Sequence, residues 1–430
     1  MSQGDDGAPQ LDLPKRAAAV WRSVIMKISR SVILAIAVSV LGLMAIGLGL
    51  TAFGGGCQAA HEKARHGVLA MDVFAQDAIV DLLLFEETPR GKELRHVRSR
   101  DGATTWSAPS TINRRGRGIV DHRRGMDPQI AAAGDTVVVL WTTPGTSAWG
   151  AGPLATAVSR DGGRTWTLGP NPADDTSNDG HSFLELAADE TGAFQAFWLD
   201  SRNGAQGLRT AFSRDAGQTW SANASIDSRT CECCWNKAVA FSPGSSAVLY
   251  RDRSPRDMAL AATTDGGRTW TRRATVGDFG WAIEACPHVG GGLARTRVGT
   301  AERLHAVVWT GKAGREGLHR LASRDDGRTW SKPARLGTAR AKHGDIAGSA
   351  AHLAAVWDDV RAGQQVIRAA TSDDEGASWH SPIQLSDSNR TATHPLVIWS
   401  DGRFVAFWTD AARDSPAAWR AVRIPAAEAH

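Results

Sequence analysis

Three of the five cysteines in this chain of 430 residues lie within four positions, in the segment TCECCWN. A fourth cysteine follows farther along the chain, in the segment WAIEACP. Cysteine thiolates bind soft and borderline metal ions, and pairs of thiols form disulfides. The sulfur atoms that could do either chemistry belong to Cys231, Cys233, Cys234 and Cys286.

A repeat that runs through most of the chain must position these cysteines. Six segments share the pattern Ser/Thr-x-Asp-x-Gly-x-Thr/Ser-Trp, except that the first has alanine in place of the glycine. They are SRDGATTW (99–106), SRDGGRTW (159–166), SRDAGQTW (213–220), TTDGGRTW (263–270), SRDDGRTW (323–330) and SDDEGASW (372–379). In a hairpin turn the aspartate can accept backbone N–H groups and the glycine permits a positive φ. A structural role is therefore predicted for Asp101, Asp161, Asp215, Asp265, Asp325 and Asp374.

Short runs typical of strands separate these turn segments, such as FQAFWLD (194–200) and LAAVWDD (353–359). Each unit contains about four such runs, which predicts an all-β fold, a β-propeller of four-stranded blades. Residues 393–424 form a last unit with three strands and no turn segment. Seven blades are therefore favoured over six for the propeller, which spans residues 67–425.

The loops opposite the turn segments collect a second kind of residue. The entries to the blades hold histidines that could join the cysteines at a metal site, namely His181, His288, His343 and His394. The loops after the second strands hold Asp200, Arg202, Asp358, Arg361, Asp410 and Arg413. These charged residues are interpreted either as salt bridges between blades or as a polar funnel that binds a glycan or an anionic small molecule.

The cysteines have two main interpretations. In an extended segment, Cys231 and Cys233 would point to one face and Cys234 to the other. Cys286 begins the matching strand of the next unit, so a disulfide from Cys231 or Cys234 to Cys286 would staple adjacent blades. Alternatively, two or three thiolates and a histidine would bind copper or zinc. Free or redox-active thiols are the remaining alternative, and an exported protein favours the disulfides.

The six turn segments resemble the Asp-boxes, or BNR repeats, of the sialidase superfamily over nearly all of residues 65–425. The Cys-x-Cys-Cys stretch, YRDRSPRD (250–257) and WAIEACP (281–287) together are similar to those of bacterial exported sialidase-like proteins. The cysteines, histidines and charged residues gathered on one face favour a ligand-binding or metal-associated propeller with its site at the channel mouth, around the cysteines. The alternative that the superfamily implies is an exo-sialidase-type glycoside hydrolase acting on sialylated or related acidic glycans.

Sialidases use three arginines, a nucleophilic tyrosine paired with glutamate, and an aspartic acid/base. The chain has a single tyrosine, so the residues that the resemblance implies for catalysis are Tyr250, Arg251, Asp252, Arg253 and Arg256. The family's Arg-Ile-Pro motif precedes the first blade, whereas here these residues occur at 423–425, in the last unit.

The N-terminal part of the chain predicts a membrane anchor. Residues 31–53 carry no charge and are long enough to cross a bilayer as a helix. Basic residues precede them, which predicts that residues 1–30 stay in the cytoplasm. Residues 54–66 would then link the anchor to a propeller on the periplasmic side of a bacterial inner membrane. Cleavage of the anchor and lipidation at Cys57 are alternatives, and a net charge of +4 does not indicate nucleic-acid binding.

Overall fold

The computed structural model describes residues 67–113, 118–119, 123, 125–146, 150–175, 177 and 180–425. Regular structure in these residues is β-strand, apart from one short 3-10 helix, Arg202–Gly204. The strands are β1 (Gly67–Gln76), β2 (Ile79–Thr88), β3 (Gly91–Ser99), β4 (Ser110–Thr111), β5 (Gln129–Ala133), β6 (Thr136–Pro144), β7 (Ala151–Ser159), β8 (Thr167–Gly169), β9 (Ser182–Ala188), β10 (Phe194–Asp200), β11 (Gly207–Ser213), β12 (Ala224–Asp227), β13 (Lys237–Ser242), β14 (Ser245–Arg251), β15 (Met258–Thr263), β16 (Thr271–Val276), β17 (Gly291–Val298), β18 (Ala301–Thr310), β19 (Gly317–Ser323), β20 (Ala334–Leu336), β21 (Lys342–Ser349), β22 (His352–Arg361), β23 (Gln364–Ser372), β24 (Ile383–Gln384), β25 (Thr391–Ser400), β26 (Arg403–Ala411) and β27 (Ala418–Arg423).

These strands form seven antiparallel sheets, each a meander in chain order. Within the described residues, blades 1 to 6 have four strands each and blade 7 consists of β25, β26 and β27. The first strand of every blade contacts the first strand of the next, and β25 contacts β1. The Val68 N–H closes the ring by donating to the Ala417 carbonyl (3.0 Å). The prediction of a seven-bladed all-β propeller, including its three-stranded last unit, is confirmed.

Apolar side chains between neighbouring blades form the cores. Because strand residues alternate between the two faces of a sheet, adjacent residues serve different cores. In β10, Phe197 packs against blade 4, whereas Trp198 packs against blade 2. Tryptophans of the second strands are among the largest fully buried side chains, and they are Trp141, Trp198, Trp357 and Trp408.

The six turn segments join the third and fourth strands of their blades, and Asp161 shows how their aspartates are used. The Ser159 hydroxyl donates to Asp161 Oδ1 (2.8 Å), and the Thr165 hydroxyl donates to Oδ2 (2.6 Å). The hydrogen bonds from Thr165 hold the pKa of Asp161 well below its usual range. Gly163 has a φ of 85°, and the Trp166 ring packs into the core shared with blade 1. These carboxylates are occupied within their own turns.

The predicted cytoplasmic segment 1–30, anchor 31–53 and linker 54–66 lie outside the described residues. Within the part of the chain that the structure describes, no helix has the length and apolar character needed to span a membrane.

Candidate metal centre

The clustered cysteines lie in the connection between blades 3 and 4, after β12 and before β13. The Cys231 N–H donates to the Arg251 carbonyl (3.0 Å), which fixes the start of the segment against β14. The segment then bends instead of continuing as a strand. The expectation that Cys234 points away from Cys231 and Cys233 is therefore wrong, because side chains alternate only in extended backbone.

The three sulfur atoms lie close together without being bonded. Sγ of Cys231 is 3.4 Å from Sγ of Cys234 and 3.8 Å from Sγ of Cys233. The side chains of these three residues are buried, whereas Cys286 is exposed, and all four are free thiols. The predicted disulfide to Cys286 is not formed in the structure. The arrangement is instead that of three sulfur ligands whose atoms all lie within 4.8 Å of one another.

A guanidinium group faces this cluster. Arg256 Nη1 donates to Sγ of Cys231 at 3.0 Å, and the Arg256 side chain is buried. Hydrogen bonds from the Cys233 and Cys234 thiols lower the pKa of Cys231, and the contact with Cys231 raises the pKa of Cys233. These contacts favour the thiolate form of Cys231, and the thiolate is the form of cysteine that binds metals.

Two of the histidines predicted to join the cysteines lie elsewhere. His181 is buried, with Nδ1 3.0 Å from the Gly152 carbonyl and Nε2 3.0 Å from Asp175 Oδ1. His288 Nδ1 lies 3.0 Å from the carbonyl of Cys286. Neither histidine belongs to the three-sulfur group.

The other two histidines form a pair between blades 6 and 7. The rings of His343 and His394 stack with centroids 3.8 Å apart and an angle of 24° between planes. His343 Nδ1 lies 2.7 Å from Asp358 Oδ2, and the Thr393 hydroxyl donates to the same oxygen (2.8 Å). His343, Asp358 and His394 are a second group that could hold a metal ion. The predicted single site of cysteines and histidines is therefore divided, because His181 belongs to a third such group, with Asp175 and Asp200.

Trp235 lies between these two groups. It directly follows Cys234, and its ring centroid is 6.3 Å from that of His343 and 5.8 Å from that of His394. Its indole N–H donates to Asp127 Oδ2 (2.7 Å). Trp235, Asp127 and the histidine pair line a cavity of about 250 Å³ in the mouth of the central channel.

Several residues at the blade entries have left-handed backbone. The φ angles are 52° at Phe183, 51° at His288, 43° at His343 and 52° at His394. Positive φ is uncommon for residues other than glycine and concentrates at functional sites. The Trp235 ring contacts the rings of Phe183, His343 and His394. The His288 ring contacts that of Phe183.

Charged side chains line the same cavity. Asp72, Glu185 and Asp345 come from the first strands of blades 1, 3 and 6, and Lys237 comes from blade 4. Burial raises the pKa of Asp72 to about 6 and that of Glu185 to about 7. Lys237 Nζ lies 3.4 Å from Glu185 Oε1. The charges of Glu185, Asp345 and Asp72 outweigh the effect of burial on Lys237 and raise its pKa.

The stretch YRDRSPRD does not form one site, because β14 directs consecutive side chains to opposite faces. The Tyr250 hydroxyl donates to Asp227 Oδ2 on blade 3 (2.9 Å). Burial and the charge of Asp227 raise the pKa of Tyr250, which opposes its use as a nucleophile. Arg251 points the other way, and its guanidinium donates to the carbonyls of Val289 and Trp309 (3.0 Å each).

The remaining residues implied for sialidase chemistry have partners of their own. Arg253 forms an ion pair with Glu232, and Asp252 Oδ2 lies 2.5 Å from Arg272 Nη1. Arg256 faces the thiols. The structure therefore does not bring Arg251, Arg253 and Arg256 together at Tyr250.

Most of the charged side chains predicted to form a polar funnel pair with other residues of the protein. Asp200 accepts a hydrogen bond from the Trp198 indole (2.9 Å) and pairs with Arg202 (2.8 Å). Asp410 pairs with Arg390 (2.8 Å). The other members are Asp358, which binds His343, and Arg361 and Arg413, which are exposed.

Comparisons with known proteins agree with the architecture. No protein-family model and no curated protein matches the sequence. Among solved structures, an ulvan lyase of polysaccharide lyase family PL25, bound to a -[GlcA(1-4)Rha3S]- saccharide, is 11% identical with a TM-score of 0.56. The match covers 84% of this chain and 94% of the lyase. A Trypanosoma rangeli sialidase is 11% identical with a TM-score of 0.47, over 71% of this chain and 55% of the sialidase. At such identity the lyase establishes a shared propeller fold only.

Proposed function

We propose that this propeller binds a soft or borderline metal ion, Cu(I) or Zn(II), through Cys231, Cys233 and Cys234. The observation that carries the proposal is the approach of three unbonded sulfur atoms to within 3.8 Å around Cys231. Thiolate sulfur is the donor that such ions prefer.

Buried free cysteines most often act as small apolar side chains. Two features favour a ligand set over simple packing here. The Arg256 guanidinium, a cation, points directly at Sγ of Cys231. The bend that follows Cys231 turns Cys233 and Cys234 toward the same point instead of distributing them over two faces.

We also propose that residues 31–53 tether the protein to a bacterial inner membrane, with the propeller on the periplasmic side. The uncharged segment and the basic residues before it support this topology. Protease treatment of intact spheroplasts tests it. Degradation of the propeller in intact spheroplasts is expected, whereas protection would contradict the proposed orientation.

Metal binding can be tested on the full chain purified in detergent without oxygen. After reduction and chelation, the protein is titrated with Cd(II), whose thiolate complexes absorb in the ultraviolet. We expect one equivalent to saturate the absorption, and elemental analysis of untreated protein to find copper or zinc. Mass spectrometry of alkylated protein counts the free thiols. Absence of bound metal and of cadmium–thiolate absorption would rule out the proposed function.

The cavity at the channel mouth favours a second candidate, the binding of a saccharide. Its wall combines the Trp235 ring with polar groups of Gln129, Asn236 and Thr393, and the charged residues described above line the same cavity. An aromatic surface beside hydrogen-bonding groups is typical of small-molecule sites. Trp235→Leu is expected to weaken binding of a sialic acid or uronic acid oligosaccharide by about tenfold or more. The matched control is Trp399→Leu, at the far end of β25, and equal effects of both substitutions would contradict this candidate.

A further inference from the structure

A groove between blades 5 and 6 lies beside the fifth and sixth turn segments. Its cavity measures about 640 Å³, within the range of small-molecule sites. The wall includes the half-buried rings of Trp330 and Trp379 and the buried side chain of His305. The charged side chains that line the groove are Arg303, Arg320, Arg324, Lys332 and Glu375.

The equivalent place between blades 1 and 2 is occupied by ion pairs. Arg98 lies opposite Asp81 in the pairing of β2 with β3, and its guanidinium contacts the Asp81 carboxylate (2.7 Å). The same guanidinium reaches Asp135 in the next blade (2.7 Å). Arg100, in the first turn segment, also pairs with Asp135 (3.2 Å). Two carboxylates therefore compensate two arginines where these blades meet.

The pairing of β18 with β19 gives the equivalent residues in blade 5. Ala322 stands where blade 1 has Arg98, because each residue lies two positions before the aspartate-preceding arginine of its turn segment. His305 lies opposite Ala322 and so takes the place of Asp81. A small side chain in place of a large one leaves the space that forms the groove.

The hairpin of blade 6 lacks the second carboxylate. The Ala351 carbonyl accepts an N–H from the sixth turn segment, as the Asp135 carbonyl does from the second, so the two residues are equivalent. Arg324 is the equivalent of Arg100 in the fifth turn segment. Without the carboxylate, Arg324 forms no ion pair with any described residue.

Arg320 lines the groove beside the Trp379 ring, with its guanidinium carbon 5.3 Å from the ring centroid. Its Nη1 donates to the Gly376 carbonyl (3.2 Å), and it forms no ion pair in the part of the chain that the structure describes. Burial lowers the pKa of Arg320, although the nearby charge of Asp374 opposes this effect. The Asp374 carboxylate is engaged within its own turn, where it accepts the Ser378 hydroxyl (2.5 Å).

The other charges around the groove have partners of their own. Arg303 pairs with Glu375, and Arg328 pairs with Asp326 (3.2 Å). Asp325 accepts hydroxyl groups within the fifth turn segment. The cations that line the groove without an ion pair to a described residue are Arg320, Arg324 and Lys332.

We infer that the groove between blades 5 and 6 binds an anionic saccharide, whose sulfate or carboxylate groups contact Arg320 and Arg324. Guanidinium groups bind such oxyanions through paired hydrogen bonds, and tryptophan rings offer apolar surface to a sugar. His305 Nδ1 has no hydrogen-bond partner among the described residues, and an imidazole nitrogen can donate to or accept from a sugar hydroxyl. This site is separate from the proposed metal centre and does not depend on it.

Isothermal titration of the full chain in nonionic detergent tests this inference. The probes are a sulfated carrageenan tetrasaccharide and tetragalacturonic acid, and the desulfated carrageenan tetrasaccharide is the neutral control. We expect an anionic probe to bind at least about tenfold more tightly than the neutral one. Arg320→Met keeps an apolar stem beside Trp379 and should weaken that binding by about tenfold to a hundredfold, because it removes charge-assisted hydrogen bonds.

Two further variants exploit the comparison between blades. Ala351→Asp introduces a carboxylate that would pair with Arg324 as Asp135 pairs with Arg100. It is expected to weaken binding of the anionic probe by about fivefold or more. Arg100→Met is the matched control, because it removes an arginine at the same position of the first turn segment, and it should leave the Kd within about twofold.

Should Arg320→Met fail to fold, Ala351→Asp still tests the groove, because it only adds a negative charge. Trp235→Leu separates the groove from the channel-mouth cavity and should leave binding of the sulfated probe unchanged. The inference would be overturned by failure of both anionic probes to bind at about 1 mM, by equal binding of the neutral probe, or by loss of binding in Trp235→Leu with native binding in Arg320→Met. Tighter binding of a single-stranded oligonucleotide of equal charge would also contradict a saccharide site.

Discussion

Replacing Cys231 with serine is expected to abolish metal binding by the propeller. Cys231 is the central member of the group, because its sulfur atom contacts Cys233, Cys234 and the Arg256 guanidinium. A serine hydroxyl is a hard, protonated donor that soft ions bind poorly. Loss of a group that only hydrogen-bonds to a metal ligand typically costs about tenfold to a hundredfold in metal affinity, so loss of the central ligand itself should cost more than about a hundredfold.

Thermal or denaturant unfolding provides an independent measurement of the same change. A ligand present at about 1,000 times its Kd stabilises the native state by about 4 kcal/mol. The native protein should therefore gain stability when Cd(II) is added, and Cys231→Ser should not. The ion-free variant should itself lose about 1–3 kcal/mol, because the buried Arg256 guanidinium loses its sulfur acceptor.

Cys57→Ser is the matched control for this experiment. Cys57 lies outside the described residues, and the proposed site does not use it. We expect Cys57→Ser to bind Cd(II) with native stoichiometry. If Cys231→Ser kept native affinity and metal-dependent stabilisation, the three-sulfur site would be ruled out.

The fold could be predicted from the sequence because its signals are local and repeated. Each turn segment places a hydrogen-bonding aspartate, a residue with positive φ and a tryptophan at set positions, and the turn forms from those residues alone. The three strands of blade 7 were also readable from residues 393–424. Blade number then follows from counting units, without knowledge of any contact between distant residues.

The candidate site was predicted in part, because its contacts depend on which way each side chain points. Tyr250 and Arg251 are consecutive in β14 and so face different blades, although the resemblance to sialidases implied one site for both. The alternation of side chains along a strand predicts that two consecutive residues point to opposite faces. Whether a short connection bends is decided by packing, so the convergence of Cys233 and Cys234 on Cys231 could not be foreseen.

Two features of the channel were missed for different reasons. Trp235 adjoins the cysteines in sequence, but its contacts with His343 and His394 join blades far apart in the chain. Glu185 interrupts the otherwise largely apolar first strand of blade 3, and Lys237 begins that of blade 4. A charged residue in such a strand indicates a charged channel. Their pairing required the ring closure of the blades.

Replacing Lys237 with methionine is expected to destabilise the propeller, most strongly at alkaline pH. Its ammonium group compensates three carboxylates of the channel, on Asp72, Glu185 and Asp345. Each carboxylate also accepts a backbone N–H from the next blade, as when Asp72 binds Ile130 (2.8 Å). Removing one partner of a buried ion pair costs about 3–5 kcal/mol. Because 29% of the Lys237 side chain is exposed, water screens the pair and about 2 kcal/mol is expected at pH 8.

The pH dependence of this loss follows from the raised pKa values of Glu185 and Asp72. Folded values of about 7 and about 6 exceed those of the unfolded chain, so the native state binds more protons between about pH 4 and pH 7. These two groups therefore make the native protein less stable as pH rises through that range. At pH 5 both are largely protonated, little negative charge remains to be compensated, and the cost of Lys237→Met should shrink.

Urea unfolding of Lys237→Met at pH 8 and pH 5 measures both effects. The matched control is Lys332→Met, an exposed lysine on the connection after β19, which should change the free energy of unfolding by less than about 0.5 kcal/mol. Adding Glu185→Gln to Lys237→Met should recover part of the loss at pH 8, because it removes one of the unpaired carboxylates. An equal loss at both pH values, without recovery in the double variant, would mean that Lys237 acts through packing of its apolar stem and that the channel charges are not coupled.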